Sequence, residues 1–509
     1  MGLLSRFGSW TTSIVHIRRI RRTASSAAQA AESANNQLAS ISGDISSLRG
    51  EISSLRGEIA AIRGELGGQI SFLKEEITSV REDLRRLRRR DSVLFVGYAE
   101  GGLGLGETFR SMLQALYASG LQFSIYPFRR NIETRLGAPF LPELYDYNGI
   151  YDLTVAYIAT DQLPYYYEEM EAQVESGSYN ILRTYWELPE APSEWRTLLT
   201  RIDELWVPNS FVKNAFRSIF EGVISVIPPN VSVKNSDLYD RKYFGLDEST
   251  FYFMFSFDFY SGAARKNPLG VVQAFGYAFP EQQRKVGLII KAIGPGEYDP
   301  TAFQQLQNVT RIDNRIKLLT GPMLRDEMLS LISVSDCYIS LHRSEGFGAG
   351  MAEAMALEKP VIGTDFSGNT DFLTQETGFP VRYALRKLMP GEYAHGEGQS
   401  WAEPDLEEAI RHMRGVVDDR AEAARRAERG KLFIEAHHSA EAVAEKIRGR
   451  IAEIRRGRKG RWGEREFNNP ELKCYSDSKN SSVGWLSGSP EARTPSGDAF
   501  CAPRLEHVG

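Results

Sequence analysis

Apolar residues near the amino terminus recur in alternating steps of three and four positions. The repeat is formed by Ile41, Ile45, Leu48, Ile52, Leu55, Ile59, Ile62, Leu66, Ile70, Leu73, Ile77, Val80, Leu84 and Leu87. Such spacing places the side chains on one stripe of a helix and is typical of a coiled-coil seam. Two successive steps of four around Leu66 locally relax the supercoil. The pattern predicts an α-helical coiled coil over residues 41–90.

Charged residues beside this stripe predict how the helices associate. If Ile45 and Ile52 take heptad position a, Leu48 and Leu55 fall at position d. The flanking positions then carry opposite charges: Glu51 and Glu58 lie at g, and Arg49, Arg56 and Arg63 lie at e. Opposite charges at g and e favour parallel helices in register, and isoleucine at a with leucine at d favours a dimer. Ile62 at a d position leaves a trimer open. A single amphipathic helix packed on the chain's own domains is the alternative.

The two ends of the chain differ from its centre in composition. Residues 1–40 combine arginines, such as Arg18 and Arg22, with apolar residues such as Trp10 and Ile14, which is typical of a helix lying on a membrane surface, although such segments are also often disordered. No apolar run of about 18 residues could span a bilayer, and no signal-peptide core is present. Residues 458–509 are rich in Ser, Gly, Pro and charge, which predicts a disordered tail.

Between these ends, short apolar runs alternate with helical patterns. Val93–Val96 and Phe251–Phe257 have the composition of strands, and helices are expected over Glu107–Ala118 and Pro268–Phe279. This alternation predicts an α/β architecture. The prolines of Pro228–Val231 indicate a hinge. We therefore expect one domain over residues 91–230 and a second over residues 231–437.

Two glutamates flank a glycine-rich turn in the second domain. Glu345 follows an apolar run of strand length, Glu353 lies on the next predicted helix, and Gly346, Phe347 and Gly348 separate them. Ligands bind at the carboxyl edge of open α/β sheets, where glycines let a ligand approach the backbone and a helix N-terminus attracts anions. Carboxylates accept hydrogen bonds from sugar hydroxyls. The combination favours a nucleotide-sugar site, whereas isolated glutamates at this spacing would be ordinary surface residues.

Two adjacent cations follow the strand Phe251–Phe257. Arg265 and Lys266 precede Asn267, a good N-cap, and Pro268, which suits the first helical position. Cations beside a helix N-terminus favour a diphosphate. A solvated helix start is the alternative interpretation.

Together these motifs resemble the retaining glycosyltransferases of the family 4 (group 1) type. The resemblance implies the GT-B fold, with two Rossmann-like doubly wound domains facing across a cleft, and a last helix (438–457) that closes the first domain. It implies that Glu353 binds ribose hydroxyls, Lys266 and Arg265 the diphosphate, and Glu345 with the backbone of residues 346–348 the transferred sugar. The family places its Arg near Ser261, so Arg265 departs from the pattern.

The first domain matches the family less sharply. Its glycine-rich loop, with Gly102 and Gly104, does not fit the dinucleotide fingerprint, but in the resembling fold such a loop approaches the donor phosphates across the cleft. Related enzymes use an N-domain His on the donor sugar, and this chain has no His between His16 and His342. Glu187 and Asp161 are the candidates for that sugar or acceptor contact, and each could equally be a surface acid.

Composition narrows the remaining possibilities. A net charge of −5 over 509 residues gives no indication of nucleic-acid binding, and three cysteines give no disulfide framework, which indicates a reducing compartment. The chain has no Asp-x-Asp triplet, so we expect no metal cofactor. His437 and His438 are assigned to a helix surface.

We therefore predict a cytoplasmic, oligomeric glycosyltransferase that uses a nucleotide-sugar donor. Its acceptor would be a glycan, a lipid-linked molecule or a protein, in cell-surface polysaccharide or glycoconjugate synthesis. Peripheral contact with the membrane is left open. The alternatives are another GT-B enzyme, such as an epimerase or inverting transferase, and a coiled-coil scaffold whose GT-B module only binds sugar.

Overall fold

The computed structural model describes residues 5–86, 92–132, 136–234, 236–280, 285–294 and 299–466. Residues 1–443 form one compact unit and residues 444–509 a second. Most of the predicted tail, with Cys474 and Cys501, lies outside the described residues. No helix within the described ranges is long and apolar enough to cross a membrane.

The amino-terminal region is one helix, α1 (Ser5–Arg86), of 82 residues. It therefore joins the predicted basic segment to the predicted coiled coil, and at about 1.5 Å per residue it extends about 120 Å. Its apolar stripe from Ile41 to Ile77 faces solvent: Ile45 is 46 % exposed and Leu55 is 56 % exposed. The alternative in which this stripe packs on the chain's own domains is therefore wrong.

The first domain is built on a six-stranded parallel sheet with strand order β2-β1-β3-β4-β5-β6. The strands are β1 (Val93–Gly97), β2 (Phe123–Pro127), β3 (Leu153–Tyr157), β4 (Tyr179–Arg183), β5 (Glu204–Val207) and β6 (Val223–Val226). The helices are α2 (Gly104–Ala118), α3 (Leu163–Glu169), α4 (Glu171–Glu175), α5 (Trp195–Leu198) and α6 (Ser210–Phe216). Helix α2 begins three positions before the predicted Glu107, inside the glycine-rich loop.

The second domain also has a six-stranded parallel sheet, with strand order β12-β11-β10-β7-β8-β9. Its strands are β7 (Phe251–Asp258), β8 (Val286–Ile293), β9 (Ile316–Leu319), β10 (Cys337–Ser340), β11 (Val361–Thr364) and β12 (Phe379–Val381), and an antiparallel hairpin adds β13 (Tyr383–Lys387) and β14 (Ser400–Pro404). Its helices are α7 (Ala263–Lys266), α8 (Pro268–Ala278), α9 (Pro300–Ile312), α10 (Arg325–Val334), α11 (Ala349–Ala356), α12 (Leu406–Asp418) and α13 (Arg420–His438). A last helix, α14 (Ala440–Glu466), continues past the predicted end at residue 457.

The sheets explain the near-continuous apolar runs of the sequence. All residues of β1, β3 and β10 are buried, as expected for parallel strands covered by helices on both faces. The Asn267 side chain caps α8 by accepting a hydrogen bond from the Gly270 amide at 3.2 Å, which confirms the predicted cap. The prediction of two doubly wound α/β domains is confirmed, and one long helix precedes them in the region predicted to form a coiled coil.

The predicted hinge, Pro228–Val231, is held by contacts on both sides. The Asn230 amide group donates to Ser111 Oγ at 2.7 Å, and the Val231 amide donates to the carbonyl of His438 at 2.8 Å. His438 itself is buried, with its ring centroid 5.4 Å from that of Phe347. The surface assignment of His438 is therefore wrong, because its ring fills space beneath the glycine-rich turn.

Candidate active site

The cations and Glu345 meet at the carboxyl edge of the second sheet. Strands β7 and β10 are parallel neighbours, with Cys337 paired to Phe253, so the loops that follow them emerge side by side. The loop after β7 leads into α7, which carries Arg265 and Lys266, and the loop after β10 carries Glu345. Two segments about 80 positions apart in sequence therefore form one cluster.

Both cations bind Glu345. Lys266 Nζ donates to Glu345 Oε1 at 2.5 Å, and Arg265 Nη1 donates to Glu345 Oε2 at 3.2 Å. Arg265 is further fixed by the carbonyls of Ser261 and Ser344, at 3.0 and 2.8 Å. The Arg265 side chain is only 4 % exposed, whereas the Lys266 side chain is 16 % exposed. Lys266 is therefore the better placed of the two cations to reach a bound anion.

The electrostatics of this cluster favour an anion. Burial would raise the pKa of Glu345, but the charges of Lys266 and Arg265 outweigh burial and lower that pKa to about 2. Burial lowers the pKa of Lys266, and the Glu345 charge opposes this. Within this cluster two cations and one carboxylate leave one net positive charge, and the nearby Glu187 carboxylate offsets part of it. Burial strengthens the Coulomb attraction that remains.

Neighbouring polar groups hold the Glu345 loop in place. The Glu345 amide donates to Ser367 Oγ at 2.7 Å, and the Gly368 amide donates to the Glu345 carbonyl at 2.9 Å. His342 is buried, lies 2.9 Å from Asn369 Oδ1 through Nε2, and has a pKa lowered by that burial. These roles are not predicted from the sequence, because nothing in the spacing of the chain links residues 366–369 to Glu345.

The three residues after Glu345 differ in their surroundings. Phe347 is buried and packs its ring 5.3 Å from that of Phe372, so only its backbone can face a ligand. Gly348 has a φ of 89°, and a Cβ there would lie 2.5 Å from Met351 Cε. A side chain at Gly346 would instead meet the first domain, with Glu187 Oε1 3.5 Å from its Cβ. Gly348 is thus explained by its positive φ, and Gly346 by the close approach of the two domains.

Glu353 lies on α11, where the sequence predicted it, but it has an unpredicted partner. Arg325, the first residue of α10, donates to Glu353 Oε1 at 2.6 Å and to the Ser232 carbonyl at 3.3 Å. Burial would lower the pKa of Arg325, but the charges of Glu353 and, more weakly, Glu107 of the first domain raise it. Arg325 therefore fixes one carboxylate oxygen of Glu353.

The first domain contributes Glu187 and Asn209 to the surroundings of the Glu345 loop. The Glu187 carbonyl accepts a hydrogen bond from Ser344 Oγ, and its carboxylate accepts one from the hydroxyl of Tyr393 at 2.8 Å. Asn209, which sequence analysis did not single out, is buried and donates to the carbonyls of Gly346 and Gly368 at 2.6 and 3.1 Å. Asp161 is exposed and accepts a hydrogen bond from Gln162 at 3.1 Å, so the structure does not bring it into the Glu345 cluster.

The glycine-rich loop of the first domain is organised by Arg110. Its guanidinium donates to the carbonyls of Ala99 and Gly101 at 3.2 and 2.8 Å, and Gly102 and Gly104 are exposed. A Cβ at Gly106 would lie 2.3 Å from the Gly101 carbonyl oxygen, which explains that glycine. Across the described ranges, no group of three or more His, Cys, Asp or Glu residues could hold a metal ion.

Comparison with known proteins agrees with this geometry. Residues 259–387, which contain Arg265, Lys266, Glu345 and Glu353, match the family described as glycosyl transferases group 1. The structure is similar to those of sucrose-phosphate synthase from Thermosynechococcus elongatus (14 % identity, TM-score 0.51, 72 % of this chain and all of that one) and a glycosyltransferase from Rickettsia africae (14 %, 0.51, 72 % and 99 %). It is also similar to that of HepE from Anabaena in complex with UDP and glucose (14 %, 0.50, 72 % and 100 %). The chain thus has the GT-B fold, and the match to group 1 glycosyl transferases covers residues 259–387.

Proposed function

We propose that this protein is a retaining glycosyltransferase that moves a sugar from a nucleotide-sugar to a glycan, lipid-linked or protein acceptor. The observation that carries the proposal is the convergence of Lys266, Arg265 and Glu345 at the carboxyl edge of the second sheet. The three residues lie within the segment that matches group 1 glycosyl transferases. The donor would bind in the second domain, and the acceptor would enter from the first.

Lys266 and Arg265 are proposed to bind the diphosphate. One N–H of Lys266 is used on Glu345, and the ammonium has two further donors for phosphate oxygens. Glu345 would stay paired with the two cations and accept hydrogen bonds from the transferred sugar through its remaining lone pairs. Glu353, held through one oxygen by Arg325, keeps its other oxygen for the ribose hydroxyls.

The reaction itself needs no protein base in this proposal. The bond between the anomeric carbon and the diphosphate breaks, and the acceptor oxygen bonds to the same face of that carbon. The acceptor proton passes to an oxygen of the leaving diphosphate. Lys266 and Arg265 would supply the positive charge that stabilises this leaving group, so we propose that transfer is metal-independent and persists in EDTA.

Glu187 is proposed to take the place of the N-domain His. Its Oε2 is bound by Tyr393, and its Oε1 faces Gly346, beside the backbone assigned to the sugar. Asp161 is a weaker candidate, because it is exposed. The loop with Gly102 and Gly104 would approach the phosphates from the first domain, and the electrostatic contact of Glu107 with Arg325 supports that placement.

We also propose that α1 assembles the protein into a parallel coiled-coil dimer or trimer. Its apolar stripe is half-exposed along the described seam, and each buried large apolar residue contributes roughly 1.5–3 kcal/mol. The proposed location is the cytoplasm, with the arginine-rich start of α1 able to contact the inner face of the membrane. Light scattering should show an oligomer for the full chain and a smaller species after deletion of residues 1–90. A monomeric full-length protein would contradict the assembly.

The function is tested by offering a panel of nucleotide-sugars, beginning with UDP-glucose, and measuring hydrolysis or transfer. We expect turnover of at least one donor and a fall in that turnover of at least about tenfold in Lys266→Ala. Binding of a donor without any turnover would instead favour the sugar-binding scaffold. Inversion at the anomeric carbon of the product would contradict the retaining mechanism.

A further inference from the structure

The connection between β12 and α12 is unusually long. Residues 382–405 separate Val381 from Leu406, whereas loops in α/β units usually have about 2–6 residues. The segment folds as the β13–β14 hairpin, which we call the strap (residues 383–404). Long ordered insertions at the carboxyl edge of such a sheet are often functional.

The strap belongs to the second domain by sequence but binds the first. The Gln399 side chain accepts a hydrogen bond from the Glu190 amide at 3.0 Å and donates one to the Glu190 carbonyl at 3.1 Å. His395 Nδ1 lies 2.9 Å from the carboxylate of Glu194. Trp401 is buried in the apolar core of the first domain. The strap therefore anchors the segment that contains Glu187.

Tyr393 places the strap at the site itself. Its hydroxyl donates to Glu187 Oε2 at 2.8 Å, and its ring centroid lies 5.7 Å from the Arg265 guanidinium carbon. Tyr393 thus touches one group from each domain.

A chain of ion pairs fixes the strap to the Glu345 loop. Arg343, two positions before Glu345, donates to both oxygens of Glu403 at 2.8 and 3.0 Å. Arg386 joins Glu403 to Glu392, at 3.0 and 2.8 Å, and Glu392 directly precedes Tyr393. The position of Tyr393 is therefore set by the loop that carries Glu345.

We propose that Tyr393, which the strap places between Glu187 and Arg265, is a third component of the active site and a positioning residue for Glu187. By holding Oε2, Tyr393 leaves Oε1 directed towards Gly346, where the transferred sugar is expected. This inference rests on the proposed function for the chemistry that Glu187 serves. The position of Glu187 in the structure is independent of that proposed function.

The test compares Tyr393→Phe, Glu187→Gln and the double variant in steady-state turnover of an active nucleotide-sugar. Loss of a hydrogen bond to a charged group should lower kcat about tenfold in Tyr393→Phe. The donor KM and the affinity for UDP should change less than about threefold, since Glu187 is assigned to the transferred sugar and Lys266 and Arg265 to the diphosphate. The double variant should be no slower than Glu187→Gln, because both changes remove one arrangement. Unchanged kcat in Tyr393→Phe, or effects that multiply, would overturn the proposal.

Tyr383→Phe is the matched control. Tyr383 lies on the same hairpin with its ring 5.0 Å from that of Phe366, and its hydroxyl has no hydrogen-bond partner among the residues that the structure describes. Its turnover should equal that of the wild type. A defect as large as that of Tyr393→Phe would show that the hairpin acts only through its fold.

If no donor supports turnover, amide hydrogen exchange tests whether Tyr393 positions Glu187. The amides of residues 184–190 should exchange faster in Tyr393→Phe and in Gln399→Ala than in the wild type or Tyr383→Phe. That result without turnover would retain the strap's role and reject the proposed function. Unchanged exchange in both variants, in an inactive protein, would overturn the inference.

Discussion

Two turns of this protein share one local design and differ in what surrounds them. The turn after β1 and the turn after β10 each join a buried parallel strand to a helix through glycines. The first is organised by Arg110, which binds its carbonyls, and Gly102 and Gly104 are open to solvent. The second is bound by Arg265 and Lys266 of α7, the short helix that follows the neighbouring strand β7. A glycine-rich turn thus lets a ligand approach its backbone, and neighbouring segments supply the charged side chains that could bind that ligand.

The largest expected effect comes from removing the carboxylate at the centre of the charged turn. A pKa lowered from 4.5 to about 2 corresponds to about 3 kcal/mol of stability from ionised Glu345. Because this pKa is depressed on folding, the contribution is complete above about pH 4.5 and is lost as the pH falls towards 2. The free energy of unfolding of Glu345→Gln should therefore lie well below that of the wild type at pH 7, and the gap should narrow in acid.

Urea unfolding at pH 7 and pH 3 measures this gap. The control is Glu428→Gln, which changes an exposed glutamate of α13 and should leave the free energy of unfolding nearly unchanged at both pH values. A gap for Glu345→Gln that stays constant between these pH values would mean that Glu345 is not ionised against the two cations.

The second prediction concerns Lys266→Ala. Each charge-assisted hydrogen bond to the diphosphate is worth roughly 1.5–3 kcal/mol, so transfer should fall at least about tenfold and the affinity for UDP should fall with it. Lys431→Ala removes a surface lysine of the same domain, which pairs with Glu358 at 2.9 Å, and should leave both unchanged. Calorimetry with UDP gives the affinity. Equal UDP affinity in Lys266→Ala and the wild type would remove Lys266 from the site.

Much of this charged turn could be predicted because its signals are local. The spacing of Glu345 and Glu353 around glycines and the cap at Asn267 depend on residues a few positions apart. Tyr393 and Asn209 could not be predicted in the same way, because they reach the site from segments 206 and 137 positions away from their partners. The length of the β12–α12 connection was the available signal for the strap. Both sheets followed from apolar runs of strand length, whereas the start of α2 was missed because Gly104 is a poor helix former.

The two glycines of the charged turn should respond differently to alanine. Gly348→Ala places a side chain at a φ of 89° and 2.5 Å from Met351 Cε, so stability should fall by about 1–2 kcal/mol. Gly346→Ala should fold normally, since its Cβ would have ordinary contacts, the nearest at 3.4 Å. It should nevertheless slow turnover, because the methyl group occupies the space before Glu187 Oε1. Thermal unfolding and kcat measured on both variants separate backbone strain at Gly348 from obstruction of the site at Gly346. A Gly346→Ala variant that is destabilised but fully active would contradict the role assigned to Gly346.

The smallest effect is expected at the turn after β1. A Cβ at Gly104 would have no atom within 4 Å, and Gly104 is the first residue of α2. Gly104→Ala should therefore stabilise the helix by about 0.5 kcal/mol. Affinity for UDP should fall only slightly, since the added methyl narrows the approach to the loop. A loss of UDP binding as large as that of Lys266→Ala would mean that both turns hold the phosphates equally.

The glycines of α1 have a consequence for how the protein assembles. Gly50, Gly57 and Gly64 have no atom within 4 Å of a built Cβ, and each costs the helix roughly 1 kcal/mol relative to alanine. A helix weakened in this way gains most of its stability from the partner that covers its apolar stripe. In the proposed oligomer, winding of the helix and joining of the chains are then one equilibrium, governed by mass action. The number of active sites held together would follow the abundance of the protein in the cell, so that dilution separates them and unwinds the rod in the same step.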